Sequence, residues 1–209
     1  WREDLSALLL DAARPVHAPA VVALREVAFG RGGWRGGPID LTVAPGERIL
    51  LTGPNGSGKS SLIRVLAGTD EPLAGRVERP RAGTMVELGQ HRTALDGGDG
   101  SLVAAFRRLT GMGETAARTA LAAMRLGPDQ AGAEPGTLSP GERTRAELAL
   151  LAARGAACIL LDEPSNHLDL EALEVLEAAL EGWPGALVLA SHDRALRERV
   201  RTDRAVALG

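Results

Sequence analysis

The 209-residue chain contains no tyrosine, and aromatic residues make up only 2 % of it. Leucine, valine and alanine must therefore fill whatever core it builds. A single cysteine, Cys158, excludes an internal disulfide. It opens the apolar run 158–161 and reads as a small packing residue rather than a nucleophile. No apolar run reaches the length of about 18 residues that an α-helical membrane span needs. Stretches such as 20–27 and 188–190 are strand-sized. No leader-peptide pattern is visible, and a cytoplasmic location is expected. A net charge of −3 and a pI near 5.9 give no basic footprint for nucleic acid. The arginines at 194, 197, 199, 201 and 204 alternate with Glu198 and Asp203, as on a solvated face. What remains, 44 % hydrophobic and 24 % charged, is ordinary for one medium globular domain.

Lysine is nearly absent too. It occurs once, as Lys59, against 23 arginines. Where arginine serves everywhere else, a lone lysine marks a place for a compact ammonium on a flexible stem. Its setting is Gly53-Pro54-Asn55-Gly56-Ser57-Gly58-Lys59-Ser60, the G-x-x-x-x-G-K-[ST] pattern. Residues 47–52 before it read as a buried strand. Residues 61–67 after it have helical spacing and stop at Gly68. Glycines let backbone N–H groups turn inward around an anion, and the helix start adds its partial positive charge. Lys59 is expected on the β- and γ-phosphates, and Ser60 on Mg²⁺. Gly53, Pro54, Asn55, Gly56, Ser57, Gly58 and Ser61 complete the expected cradle.

About a hundred residues later, Cys158-Ile159-Leu160-Leu161-Asp162-Glu163-Pro164 reads as a buried strand ending in two carboxylates. A parallel strand places that end beside the phosphate loop. Asp162 is then expected in the Mg²⁺ shell. Glu163 is expected to orient and deprotonate a water, a role worth roughly 10²–10⁴ in rate. Leu138-Ser139-Pro140-Gly141-Glu142-Arg143 reads as a helix start, with Ser139 as cap, Pro140 at the first position and Glu142 at capping-box spacing. The helix that it opens would present an N-terminus suited to an anion.

Together these segments resemble an ATP-binding cassette (ABC) ATPase. The matching elements, in family order, are the phosphate loop, Gln90 at the Q-loop position, Leu138–Glu142 as the signature loop, Ile159–Glu163 as Walker B, Asn166-His167-Leu168-Asp169 as the D-loop, and Ser191-His192-Asp193 carrying the switch histidine. The resemblance implies an α/β fold of the P-loop NTPase class, with a mostly parallel sheet core, an antiparallel β-subdomain and an inserted helical subdomain near 91–155. It also implies ATP and Mg²⁺ as cofactors, hydrolysis to ADP and phosphate, and a composite site. One cassette supplies Lys59, Asp162, Glu163, His192 and Gln90, the last also on the metal. The second cassette supplies its own copies of Ser139, Gly141, Glu142 and Asp169. Three positions depart from the family pattern, one of them the conservative Ser165 for threonine after Pro164. Pro140 stands for a glycine and removes one N–H from the signature loop. At the adenine-stacking position two residues past Phe29 stands Arg31, whose guanidinium plane can stack on a base; Trp34 is the alternative.

Asn166–Asp169 and the Gly141-Glu142-Arg143 run resemble the F subfamily, whose members carry two cassettes in one chain and act on ribosomes near the tRNA sites, as translation factors or in antibiotic resistance. On that likeness 21–209 is the C-terminal cassette of such a protein, and 1–20 the tail of its linker helix or an ordered arm. The competing expectation is the ATPase subunit of a membrane transporter. A chromosome-maintenance or DNA-repair ATPase would need a coiled coil or zinc module inserted in the cassette, which the sequence lacks. Along the chain, strands are expected at 21–27, 39–43, 48–52, 76–78, 84–88, 158–162, 186–190 and 205–208. Helices are expected at 61–67, 101–109, 114–124, 141–153, 170–180 and 193–200.

Overall fold

A computed structural model describes residues 20–79, 84–88, 95, 100–167, 170–183 and 185–209. The chain divides into two compact units. One takes in the described residues of 14–89, 156–164 and 185–209, and the other those of 90–155 and 165–184.

The first unit carries both sheets. β1 (Val22–Arg31), β2 (Trp34–Val43) and β4 (Ala74–Glu78) form an antiparallel sheet in the order β2-β1-β4. The glycine-rich stretch 30–37 belongs to these strands rather than separating them. β1 and β2 turn on Gly32 and Gly33, at φ 61° and 87°. A two-residue hairpin turn with both central residues left-handed matches the twist of the flanking strands. A side chain at Gly30 would collide with the Trp34 carbonyl across the pair, so glycine is what lets the ladder run to the turn.

β3 (Arg48–Thr52), β5 (Thr84–Leu88), β6 (Ala156–Asp162), β7 (Ala186–Ala190) and β8 (Arg204–Ala207) form the second sheet, in the order β5-β6-β7-β3-β8 with every pair parallel. β6 and β7 are buried at every position, as strands covered on both faces must be. Their register fixes the site. Asp162 pairs with Ala190, and Leu51 pairs with the same residue from the other side, so the C-terminal ends of β6, β7 and β3 lie level. The loops that leave them emerge along one edge, where open α/β sheets bind ligands.

Aliphatic side chains do fill the core: Leu24, Val27, Ile49, Leu51, Leu62, Ile63, Leu66, Leu160 and Val188 are buried together, with Phe29 the one aromatic among them. Each contributes about 1.5–3 kcal/mol relative to exposure. Cys158 sits in this cluster, and burial pushes its thiol up to about 12. The helix Lys59–Ala67 ends on Gly68 at φ 79°, whose N–H returns to the Val65 carbonyl.

The second unit is helical. Leu102–Thr110 is capped by Ser101, whose side chain accepts the Ala104 N–H, and stops at Gly111 with φ 74°. Glu114–Ala123 and Leu170–Gly182 pack on Pro140–Ala153, which is buried on all sides from Thr144 to Ala152. A short helix, Pro128–Gly132, and a 3-10 turn, Pro135–Thr137, stand where no element is expected from the sequence. Five residues are too few to show an apolar period. Among the described residues no helix is long and apolar enough to cross a membrane.

Candidate functional site

Lys59 is the first residue of its helix, and Gly58 before it lies at φ 91° with no side chain to cap the free N–H groups. No acidic residue occupies the first turn. The helix therefore presents an uncompensated positive end. Gly53, Gly56 and Gly58 at φ 144°, 80° and 91° are all in conformations that favour glycine, and they bend the loop back on itself. Ser57 N–H donates to the Pro54 carbonyl at 3.2 Å. The Lys59 ammonium is buried and donates to the carbonyls of Gly53 at 2.9 Å and Pro54 at 3.0 Å.

A pocket of about 540 Å³ opens on this loop, lined by Trp34, Asn55, Gly56, Gly58, Lys59, Ser60, Ser61, Asp162, Glu163 and His192. The register of the parallel sheet brings the two carboxylates and the histidine there. Asp162 ends β6. Glu163 follows at φ 45°, and its N–H donates to the Ala190 carbonyl at 2.8 Å, which ties it to the end of β7. Its Oε2 accepts the main-chain N–H of His192 at 3.1 Å, while His192 Nε2 stands 3.6 Å from Oε1.

Several oxygens here are buried without a hydrogen-bond partner: Asp162 Oδ1, Glu163 Oε1 and Ser57 Oγ. Such groups are costly unless a ligand, cation or water satisfies them. Ser60 and Asp162 share the pocket wall and offer hard oxygen donors that suit Mg²⁺. No group of three or more His, Cys, Asp or Glu forms a metal cluster among the described residues. A cation held by one or two side chains plus substrate phosphates needs no such cluster.

The pocket lining differs from the expectation of Arg31 there. Arg31 is exposed and is not part of the pocket lining, whereas Trp34 is. Trp34 is reached because β2 begins at it, immediately after the two-glycine turn. Its six-membered ring lies against Gly58, where a side chain would collide with it, and against Gly36, where a Cβ would come within 2.6 Å. Phe29 backs the indole with ring centroids 6.0 Å apart and a tilt of 55°. The glycines at 36 and 58 were visible in the sequence, but not that both make room for one ring.

Gln90 and Asp169 lie outside the described residues. Ser139, Gly141 and Glu142 belong to the helical unit. Ser139 is exposed and caps the helix Pro140–Ala153: its Oγ accepts the Glu142 N–H at 3.3 Å, and Glu142 Oε2 accepts the Ser139 N–H at 2.9 Å. Gly141 is buried. Pro140 occupies the first turn, where a missing N–H costs the helix no bond. The Ser139 amide holds the Glu142 carboxyl below the usual carboxylate range, against opposing desolvation. The Ser139 hydroxyl and Gln130 add to this lowering. Gln130, on the short helix Pro128–Gly132, has no counterpart among the residues expected from sequence.

Comparison with known proteins bears on this geometry. A family model described as ABC transporter matches residues 37–166. The tylosin resistance ATP-binding protein TlrC of Streptomyces fradiae is 39 % identical over 198 residues, covering 95 % of this chain and 35 % of the relative. ABC transporter F family member 3 of Arabidopsis thaliana is 31 % identical over 184 residues, covering 85 % and 25 %. The cytochrome c biogenesis ATP-binding export protein CcmA of Novosphingobium aromaticivorans is 43 % identical over 170 residues, covering 78 % and 84 %. Against TlrC and the F family member, the chain spans about a third or less of the relative's length. Among solved structures, the dimeric ATP-binding cassette MJ0796, in a post-hydrolysis state with ADP and Pi, shares the fold at a TM-score of 0.71 with 20 % identity, covering 90 % of this chain and 94 % of that one. The chain belongs to the ABC transporter family, as an ATP-binding cassette ATPase most like the family's F branch.

Proposed function

We propose that the pocket ahead of Lys59 binds ATP with Mg²⁺, and that hydrolysis to ADP and phosphate proceeds when a second cassette closes over it. The observation that carries this reading is the convergence of Lys59, Ser60, Asp162, Glu163 and His192 on one pocket at the edge of the parallel sheet. Lys59 exchanges its two loop carbonyls for β- and γ-phosphate oxygens, an exchange that a flexible ammonium can make. The free N–H groups at the start of its helix take the remaining charge. Trp34 stacks on the base. Ser60, Asp162 and Gln90 would hold the cation, which would supply positive charge to the phosphate oxygens. Glu163 accepts a proton from the attacking water, and His192 steadies that water and the γ-phosphate. Ser139, Gly141, Glu142 and Asp169 act on the nucleotide of the second cassette.

The chain is read as residues 21–209 of one cassette, with 1–20 as an arm or linker-helix tail, in a cytoplasmic F-branch protein that binds ribosomes and their tRNA. The tylosin-resistance name of one relative supports a role in resistance to an antibiotic. A second reading, the ATPase subunit of a transporter, is favoured by the 84 % of the export protein CcmA that this chain covers. Cosedimentation of the Glu163→Gln protein with ribosomes, with and without magnesium ATP, tests the choice. ATP-dependent comigration is expected, and its absence returns the reading to the transporter. The composite site is tested by turnover per molecule, which is expected to rise with protein concentration. A flat, high turnover would overturn it.

A further inference from the structure

The Glu142 carboxylate is held from two sides. Oε2 accepts the Ser139 N–H at 2.9 Å, and Oε1 accepts Gln130 Nε2 at 3.1 Å. Gln130 Oε1 in turn accepts the N–H of Gly127 at 3.1 Å. The orientation of the Gln130 amide is dictated by chemistry, because Gly127 N–H can only donate and the Glu142 carboxylate can only accept. Gln130 thus links the start of one helix to the cap of the next. Without this tie Glu142 would regain rotamer freedom, and the reciprocal pair that orders the exposed Ser139 would loosen with it.

We propose that Gln130 is a positioning residue for the composite ATPase: its donation to Glu142 Oε1 fixes the cap that presents Ser139 to the nucleotide of a second cassette. The inference rests on the composite-site reading. It makes Gln130 a determinant of cassette pairing that does not act on the nucleotide in its own pocket.

Gln130→Glu is the discriminating change. It keeps the acceptor for Gly127 N–H but sets a carboxylate against Glu142, so the link is replaced by a repulsion. In a Glu163→Gln background with magnesium ATP, sedimentation velocity is expected to show pairing weakened about ten-fold or more, the scale of a lost charge-assisted hydrogen bond. ATP affinity by calorimetry on the unpaired chain is expected to change less than about two-fold, since no contact with nucleotide is removed. Gln130→Met is the second variant: of similar length but with neither donor nor acceptor, it removes the link without placing a charge against Glu142. It is expected to weaken pairing in the same direction and to leave ATP affinity on the unpaired chain within about two-fold. Unchanged pairing in Gln130→Glu, or lost ATP affinity, would overturn the inference alone. Should Gln130→Glu fail to fold, Gln130→Met decides: a native melting temperature with unchanged pairing overturns it equally. Failure of the Glu163→Gln chain itself to pair would remove the composite reading and this inference with it.

Discussion

Glu163 and His192 are joined through the backbone before they meet through their side chains: the His192 N–H donates to Glu163 Oε2 at 3.1 Å, and the ring Nε2 stands 3.6 Å from Oε1. Glu163 accepts a left-handed backbone, φ 45°, to reach this position, a conformation costing of order 1–2 kcal/mol for a residue with a side chain. The N–H that it gives to Ala190 helps to hold it there. The ends of β6 and β7 are therefore locked into one geometry around one carboxylate.

Removing that carboxylate's basicity without its shape separates binding from chemistry. Glu163→Gln is expected to keep ATP affinity and lower turnover by roughly 10²–10⁴. Steady-state phosphate release equal to that of the parent chain would reject the role.

Trp34 and Arg31 make opposite predictions. If the indole that lines the pocket stacks on the base, Trp34→Ala loses about 1–3 kcal/mol of nucleotide affinity, about 5- to 150-fold, while Arg31→Ala changes it little. Calorimetry with magnesium ATP on both variants checks this. The reverse ranking would return the base to Arg31.

Gly58 is constrained twice, by its φ of 91° and by the Trp34 ring, whose Cζ3 would lie 2.6 Å from an added Cβ. Gly58→Ala is expected to lower stability by about 1 kcal/mol or more and to displace the indole. Denaturant melts and the emission spectrum of Trp34, read against Trp34→Phe, measure the two effects. A parent-like melt and spectrum would mean that the contact is not held in solution.

Cys158 gives a pH signature. Its thiol is raised from 9.0 to about 12 in the folded chain, so above pH 9 the unfolded state loses a proton that the folded state keeps. Stability from this group is fully present below pH 9 and falls as pH rises from there towards 12. Native protein is expected to resist thiol reagents at pH 8, and Cys158→Ala to flatten the alkaline loss of stability. Prompt labelling of the native chain would contradict the burial.

The nature of the first and last glycines in 53–58, the lone lysine, and a carboxylate pair closing an apolar strand are local chemistry, and they were legible because a phosphate cradle needs those residue types at short, fixed spacing. The parallel strands were legible for the same kind of reason: β7 is apolar throughout and spans the expected 186–190, and β6 is apolar up to Asp162, although it begins at Ala156, two residues before the expected 158. The hairpin was not, since the glycines that mark a loop in a sequence serve here to let two strands approach.

The sequence by itself determined which groups are available: one ammonium, two adjacent carboxylates, one histidine after a strand, a serine and a glutamate at capping distance. Tertiary structure alone decided that Ala190 stands between Leu51 and Asp162, that Trp34 rather than Arg31 meets the pocket, and that Gln130 reaches Glu142. Each of these depends on strand register, or on contacts between segments whose relative placement has no periodic trace in the chain. Spacing along a chain fixes distance only within one element, and between elements it is packing that sets it.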